Sequence, residues 1–137
     1  MAQFDPAHKL TSLNEGGYTD DANDSGNWTG GKIGVGLLVG TNHGISAPVL
    51  SDYLKRPVTV ADMKNLTADT AKAIYIKNYW NKIRGFEIND QNAANSIYDS
   101  AVNMGVGTAI KLAQRSLGIK ETGVMDVLTL NTLNNKK

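Results

Sequence analysis

The chain has no cysteine in 137 residues, which excludes disulfides, thiolate metal sites and a cysteine nucleophile. Histidine is nearly absent too, with only His8 and His43. A catalytic zinc normally takes three protein ligands and an open position, so a zinc amidase is not expected, and neither a metal nor any other cofactor is assigned. The 14 basic and 13 acidic residues leave a formal charge of +1 with no long block of either sign, which argues against nucleic acid as a partner. No window approaches 18 consecutive apolar residues, so no membrane insertion is expected. The opening Met-Ala-Gln-Phe-Asp-Pro has neither the basic tip nor the apolar run of a secretory signal, and the expectation is synthesis in the cytoplasm.

What is present suits one compact domain over residues 1–137, 41% hydrophobic and burying roughly 65 to 70% of its unfolded surface. Asp5 and Pro6 open a first helix whose Phe4, Ala7, Leu10 and Leu13 repeat predicts helix up to Glu15, where Gly16 and Gly17 stop it. Ser46 is placed to cap a segment ending at Arg56-Pro57, and Thr59 with Asp62 to open a short turn of helix. Thr67 caps a longer helix over about 68–83, closed by Gly85. Asp90 starts a helix with the apolar stripe Ala94, Ile97, Tyr98, Ala101 and Val102. A helix around 108–117 comes next, and Asp126 caps a last one with Val127, Leu130 and Leu133 on its inner face.

Between Tyr18 and Ile45 the composition changes. Asp20, Asp21, Asn23, Asp24 and Ser25 precede glycines at 26, 30, 31, 34, 36, 40 and 44. Ile33, Val35 and the run Leu37 to Val39 predict a short, glycine-interrupted β-hairpin, with an irregular loop as the alternative.

Glu15 lies at the junction of the first helix and this region. A carboxylate in the last turn of a helix meets the negative end of the macrodipole, and with water excluded it shifts toward the proton-donating form a general acid needs. Asp24, nine residues on, is a candidate for the second carboxylate of a pair flanking a sugar linkage. The competing readings are a solvated helix-end glutamate and an ordinary turn aspartate.

Glu15-Gly16-Gly17-Tyr18, Asp24-Ser25-Gly26 and Thr41-Asn42-His43-Gly44-Ile45-Ser46, with Tyr79-Trp80 and Tyr98-Asp99-Ser100-Ala101-Val102-Asn103-Met104-Gly105, resemble the signature of glycoside hydrolase family 108. This lysozyme-like group includes phage endolysins. The similarity runs from about residue 8 to 134, and segment 108–134 resembles a region described in relatives as peptidoglycan-binding. The resemblance implies a mainly α, lysozyme-like α+β fold, a helical single domain with a small glycine-rich β-hairpin beside an active-site cleft. It implies an N-acetylmuramidase acting on peptidoglycan strands at the β-1,4 bond between N-acetylmuramic acid and N-acetylglucosamine, with Glu15 as catalytic acid. Such an enzyme reaches the wall through holin lesions or a dedicated secretion route. A lytic transglycosylase and a noncatalytic wall-binding or secretion-accessory protein are the alternatives.

The chain departs from the family pattern in carrying residues 27–40 between the aspartate and threonine blocks. Asp24 and Thr41 are expected to remain near Glu15, with Thr41 positioning water or a sugar hydroxyl, if this insertion forms an outward-projecting hairpin; the alternative is that it reroutes the backbone and displaces one of them. Tyr18, Trp28, Asn42, His43, Tyr79 and Trp80 are the expected substrate-binding residues, with core packing the competing role for Tyr79 and Trp80 and a surface or loop position that for His43. Asp99 and Asn103, one helical turn apart, are expected to form a buried polar network bracing the Glu15 loop.

Overall fold

Local capping chemistry sets most helix boundaries in the computed structural model, which describes residues 1–11 and 17–136. The described residues fall into two compact units, one of residues 1–11 with 75–136, the other of residues 17–74.

The first unit contains helices α1 (Phe4–Thr11), α5 (Gln91–Met104), α6 (Val106–Leu117) and α7 (Val127–Asn135). The side chain of Asp90 accepts from Ala93 N at the start of α5, and that of Asp126 from Thr129 N at the start of α7. Each satisfies a donor that the helix itself leaves open. Helix α6 starts two residues earlier than predicted, directly after Gly105, whose φ of 96° makes the corner between α5 and α6. Helix α5 packs on α1 and α6 through Ala94, Ile97, Tyr98 and Ala101. Segment 108–134 contributes Ala109, Ile110, Met125 and Leu130 to this core. Buried Gln114 donates to Thr122, Val124 and Thr129 and accepts from Gly123 N, tying the 118–126 turn to α6. Val127, predicted to face inward, is 64% exposed.

The predicted 68–83 helix is divided. Helix α4 (Ala68–Tyr75) passes into a π-helical turn, Ile76–Trp80, closed by Asn81 N donating to Ile76 O at 2.8 Å. An extra residue in a single turn rotates the later side chains about the helix axis. Trp80 thereby enters the first unit's core, with its ring edge-on to Phe4, Phe86 and Tyr98 at centroid distances of 5.7, 5.5 and 5.7 Å.

The second unit holds α2 (Ala47–Leu54), α3 (Val60–Lys64) and most of α4 around Leu50, Val58, Met63, Leu66 and Ile74. Ser46 precedes α2 without a side-chain cap bond, and Lys55 ends that helix at φ 58°. Thr59 and Asp62 form the predicted capping box on α3. Asp62 also receives both Arg56 guanidinium nitrogens, at 2.8 and 2.9 Å. Those bonds, and after them the Thr59 backbone N–H, hold its carboxyl well below the usual carboxylate range. The stability this adds is present above the unfolded pKa of about 4 and is lost as pH falls below it. In urea titrations between pH 2 and 7, Asp62→Asn is therefore expected to be less stable at neutral pH and to converge on wild type in acid. A constant difference across that range would contradict the assignment.

No β-strand occurs among the described residues, so the glycine-rich hairpin, and with it the α+β character, is corrected to a mainly helical fold. Residues 17–45 contain only the isolated bridges Thr19–Thr41, Trp28–Leu38 and Asn42–Ile45. Gly31, Gly34, Gly36 and Gly40 have φ between 75° and 100°, which turns the chain where a strand would extend. Ile33, Val35 and Leu37 are 58, 48 and 68% exposed, so there is no buried face to hold a sheet together.

Candidate functional site

Glu15 lies outside the described residues, whereas the other two expected catalytic residues, Asp24 and Thr41, lie within them. Asp24 is exposed and caps a 3-10 turn, Ser25–Asn27, with Oδ1 accepting from Gly26 N at 3.0 Å. Across this turn, Thr41 pairs with Thr19 through two backbone hydrogen bonds of 2.8 Å. A Cβ built on Gly26 would lie 3.5 Å from Asp24 Oδ1 and 3.9 Å from Thr41 Oγ1. The carboxylate and the hydroxyl thus flank one point on the backbone.

The insertion is tied off at its neck. Val39 N and Gly40 N both donate to Asn27 O, at 2.9 and 3.0 Å. Beyond the neck, Thr29 N donates to Leu37 O and Leu37 N to Thr29 Oγ1, while Gly30 N donates to Val35 O. Asp24 and Thr41 thus both lie near Gly26, while the expected approach of the pair to Glu15 lies outside the described residues.

The expected substrate-binding residues take different positions. Tyr18, half-buried, donates from its hydroxyl to Val39 O at 2.7 Å, and Gly40 packs so closely on its ring that a Cβ there would come within 2.5 Å. Lys64 Nζ sits 5.4 Å from the centre of that ring. Burial, then Asp20, raises the Tyr18 hydroxyl pKa. Trp28 is half-buried, with Nε1 donating to Ala22 O. Asn42 is buried, and its Nδ2 donates to Met63 O at 2.9 Å, closing the carbonyl end of α3. His43, at φ 50°, and Gly44 form the tight turn bridged by Asn42 and Ile45.

In the first unit Tyr79 is half-buried against Tyr75, with centroids 5.8 Å apart. Trp80 is wholly buried, and its Nε1 has no hydrogen-bond partner among the described residues. Asp99 and Asn103 are both exposed, so the bracing network expected to be buried is not. Asp99 Oδ1 instead accepts from Thr11 Oγ1 at 3.1 Å, fastening the end of α1, the helix that leads toward Glu15. One turn earlier, His8 Nδ1 lies 2.9 Å from Tyr98 Oη.

Asn27 was not singled out from the sequence. It has no solvent exposure, and its Nδ2 donates to Asp21 O at 2.9 Å. Its Oδ1 is 2.5 Å from Thr41 Oγ1. An asparagine after Asp-Ser-Gly reads as a turn residue, and nothing local marks it as buried. Among the described residues no group of three or more His, Asp or Glu could hold a metal ion, and no helix is long and apolar enough to cross a membrane.

Comparison with known proteins places this geometry in a family. The chain is similar to a solved structure described as "Structure of Brucella abortus SagA", at 31% identity and a TM-score of 0.74, covering 96% of this chain and 68% of that one. No functionally curated protein matches. The family model for glycosyl hydrolase 108 matches residues 9–105, which include Glu15, Asp24 and Thr41. With most of its length matched, the chain belongs to glycosyl hydrolase family 108.

Proposed function

We propose that this glycosyl hydrolase is an N-acetylmuramidase, cleaving the β-1,4 bond between N-acetylmuramic acid and N-acetylglucosamine with Glu15 as general acid. Family membership supports the coarser half, a hydrolase of the peptidoglycan-acting group. The observation that carries the finer half is the approach of Asp24 and Thr41 to one point beside Gly26, across an insertion of fourteen residues, 27–40.

In this reaction Glu15 protonates the glycosidic oxygen as the bond to the anomeric carbon lengthens. The Asp24 carboxylate stabilises the oxocarbenium charge that develops, with Oδ1 anchored by Gly26 N and Oδ2 unbonded among the described residues. Water held by Thr41 then completes hydrolysis. The enzyme acts at the cell wall after release from the cytoplasm.

The test is mass spectrometry of muropeptides released from purified peptidoglycan. Hydrolysed reducing ends at N-acetylmuramic acid are the expected product. Anhydro-muramic ends would replace hydrolysis with transglycosylation, and wall binding with no released fragments would remove the enzymatic assignment.

A further inference from the structure

The hydrogen-bond polarity around Thr41 is determined by which groups can donate. Asp21 O is a backbone carbonyl and only accepts, so the Asn27 group facing it at 2.9 Å is the amide nitrogen. That orientation turns Asn27 Oδ1 toward Thr41, and an amide oxygen also only accepts. The hydrogen in the 2.5 Å contact therefore comes from the Thr41 hydroxyl. The hydroxyl's other hydrogen-bond partner among the described residues, Gly26 O at 3.5 Å, is again an acceptor. A threonine hydroxyl has one hydrogen, and here it is committed inward. With that hydrogen committed, half-buried Thr41 has lone pairs alone left to offer.

We propose that Asn27 is a positioning residue for the reaction, fixing Thr41 as a hydrogen-bond acceptor toward the substrate. Thr41 then holds a water or sugar hydroxyl by accepting its hydrogen. A water bound this way keeps its own lone pairs free to attack the anomeric carbon. A freely rotating hydroxyl would also donate to that water and occupy a lone pair. Asn27 is suited to the task because it is wholly buried and its backbone oxygen gathers Val39 N and Gly40 N, the two residues before Thr41. The insertion's first residue thus sets the geometry of the first residue after it.

This inference rests on the hydrolase assignment, and the experiment separates the two. Initial rates of reducing-end release are measured for Asn27→Ser, Thr41→Val, Thr41→Ser and the Asn27→Ser/Thr41→Val double variant, with Glu15→Gln beside them. Asn27→Ser and Thr41→Val are each expected to lower kcat by about 30-fold with KM within about twofold, a loss confined to the transition state. The double variant is expected to be no worse than Thr41→Val alone, because Asn27 acts only through that hydroxyl. Thr41→Ser, which keeps the hydroxyl, recovers most of the loss. Multiplicative losses in the double variant, or wild-type kcat in Asn27→Ser, overturn the proposal. An inactive Glu15→Gln alongside an active Asn27→Ser leaves the hydrolase standing and removes only this inference. Full activity in Glu15→Gln removes the acid role it rests on.

If Asn27→Ser does not fold, proton NMR of the wild-type protein decides. A slowly exchanging Thr41 hydroxyl proton with a nuclear Overhauser contact to the Asn27 side chain is expected. A hydroxyl in rapid exchange with water overturns the proposal.

Discussion

Replacing Glu15 with glutamine is expected to lower turnover in the proposed muramidase reaction by about 10³-fold, within the range associated with general acid catalysis. Glutamine has nearly the same volume as glutamic acid, but its amide N–H can only hydrogen-bond and is not acidic enough to transfer a proton to the glycosidic oxygen. In the proposed reaction the leaving group must then depart as an alkoxide, because Asp24 is assigned to stabilising the oxocarbenium charge and does not protonate the leaving oxygen. Binding contacts away from the broken bond are untouched, so KM is expected to change little and the far-ultraviolet circular dichroism spectrum to overlay that of wild type. Release of muropeptides at the wild-type rate by a folded Glu15→Gln protein would assign the acid to another residue.

The largest effect on stability is expected from a single methyl group at Gly85. A Cβ there would lie 2.3 Å from Trp80 Cδ2 and Cε2 and 2.6 Å from Cε3, inside the thickness of the ring. The indole cannot move away, because Trp80 is wholly buried with Phe4, Phe86 and Tyr98 edge-on around it. Gly85→Ala is expected to cost about 3 kcal/mol, the upper end for overpacking a core, and to lower Tm by about 10 °C. Gly107, near the start of α6 with open space where its Cβ would be, is the control. There alanine is expected to raise stability by up to about 1 kcal/mol, since helical glycine forfeits backbone entropy. Equal melting of Gly85→Ala and wild type would mean that the glycine and the indole are not in contact.

The parts of this architecture that were legible in the sequence depend on neighbouring residues. Asp90, Asp126 and the Thr59/Asp62 pair cap the helices predicted for them because a cap and its donors lie within three residues of each other. The stripe Ala94, Ile97, Tyr98 and Ala101 was readable as a buried face for the same reason, since helical periodicity is local. The π-turn was not, because the extra residue between Ile76 and Trp80 leaves no compositional mark. It also explains why Tyr79 and Trp80 allowed both a core and a rim reading. Spacing alone could not say which ring the turn carries inward.

The hairpin failed for a related reason. Ile33, Val35 and Leu37 alternate as a strand does, but alternation predicts a strand only where one face is covered, and here all three are exposed. Within the candidate site, the family motif identified Asp24 and Thr41, while Asn27 became visible only once the chain had returned on itself at Thr41. A buried asparagine whose partner lies fourteen positions away has no local signature. Glu15 rests on the sequence alone, on its place at the end of the first helix and on the motif.

The two tryptophans offer an optical consequence of the division into two units. Trp28 belongs to the second and is half-buried, and Trp80 belongs to the first and is wholly buried. Their indoles therefore differ in polarity of surroundings, Trp80 emitting toward the blue and Trp28 toward the red. Trp28→Phe and Trp80→Phe variants convert intrinsic fluorescence into a separate gauge for each unit. Coincident denaturation curves from the two would identify a single cooperative transition, and separated curves would give each unit its own free energy of unfolding.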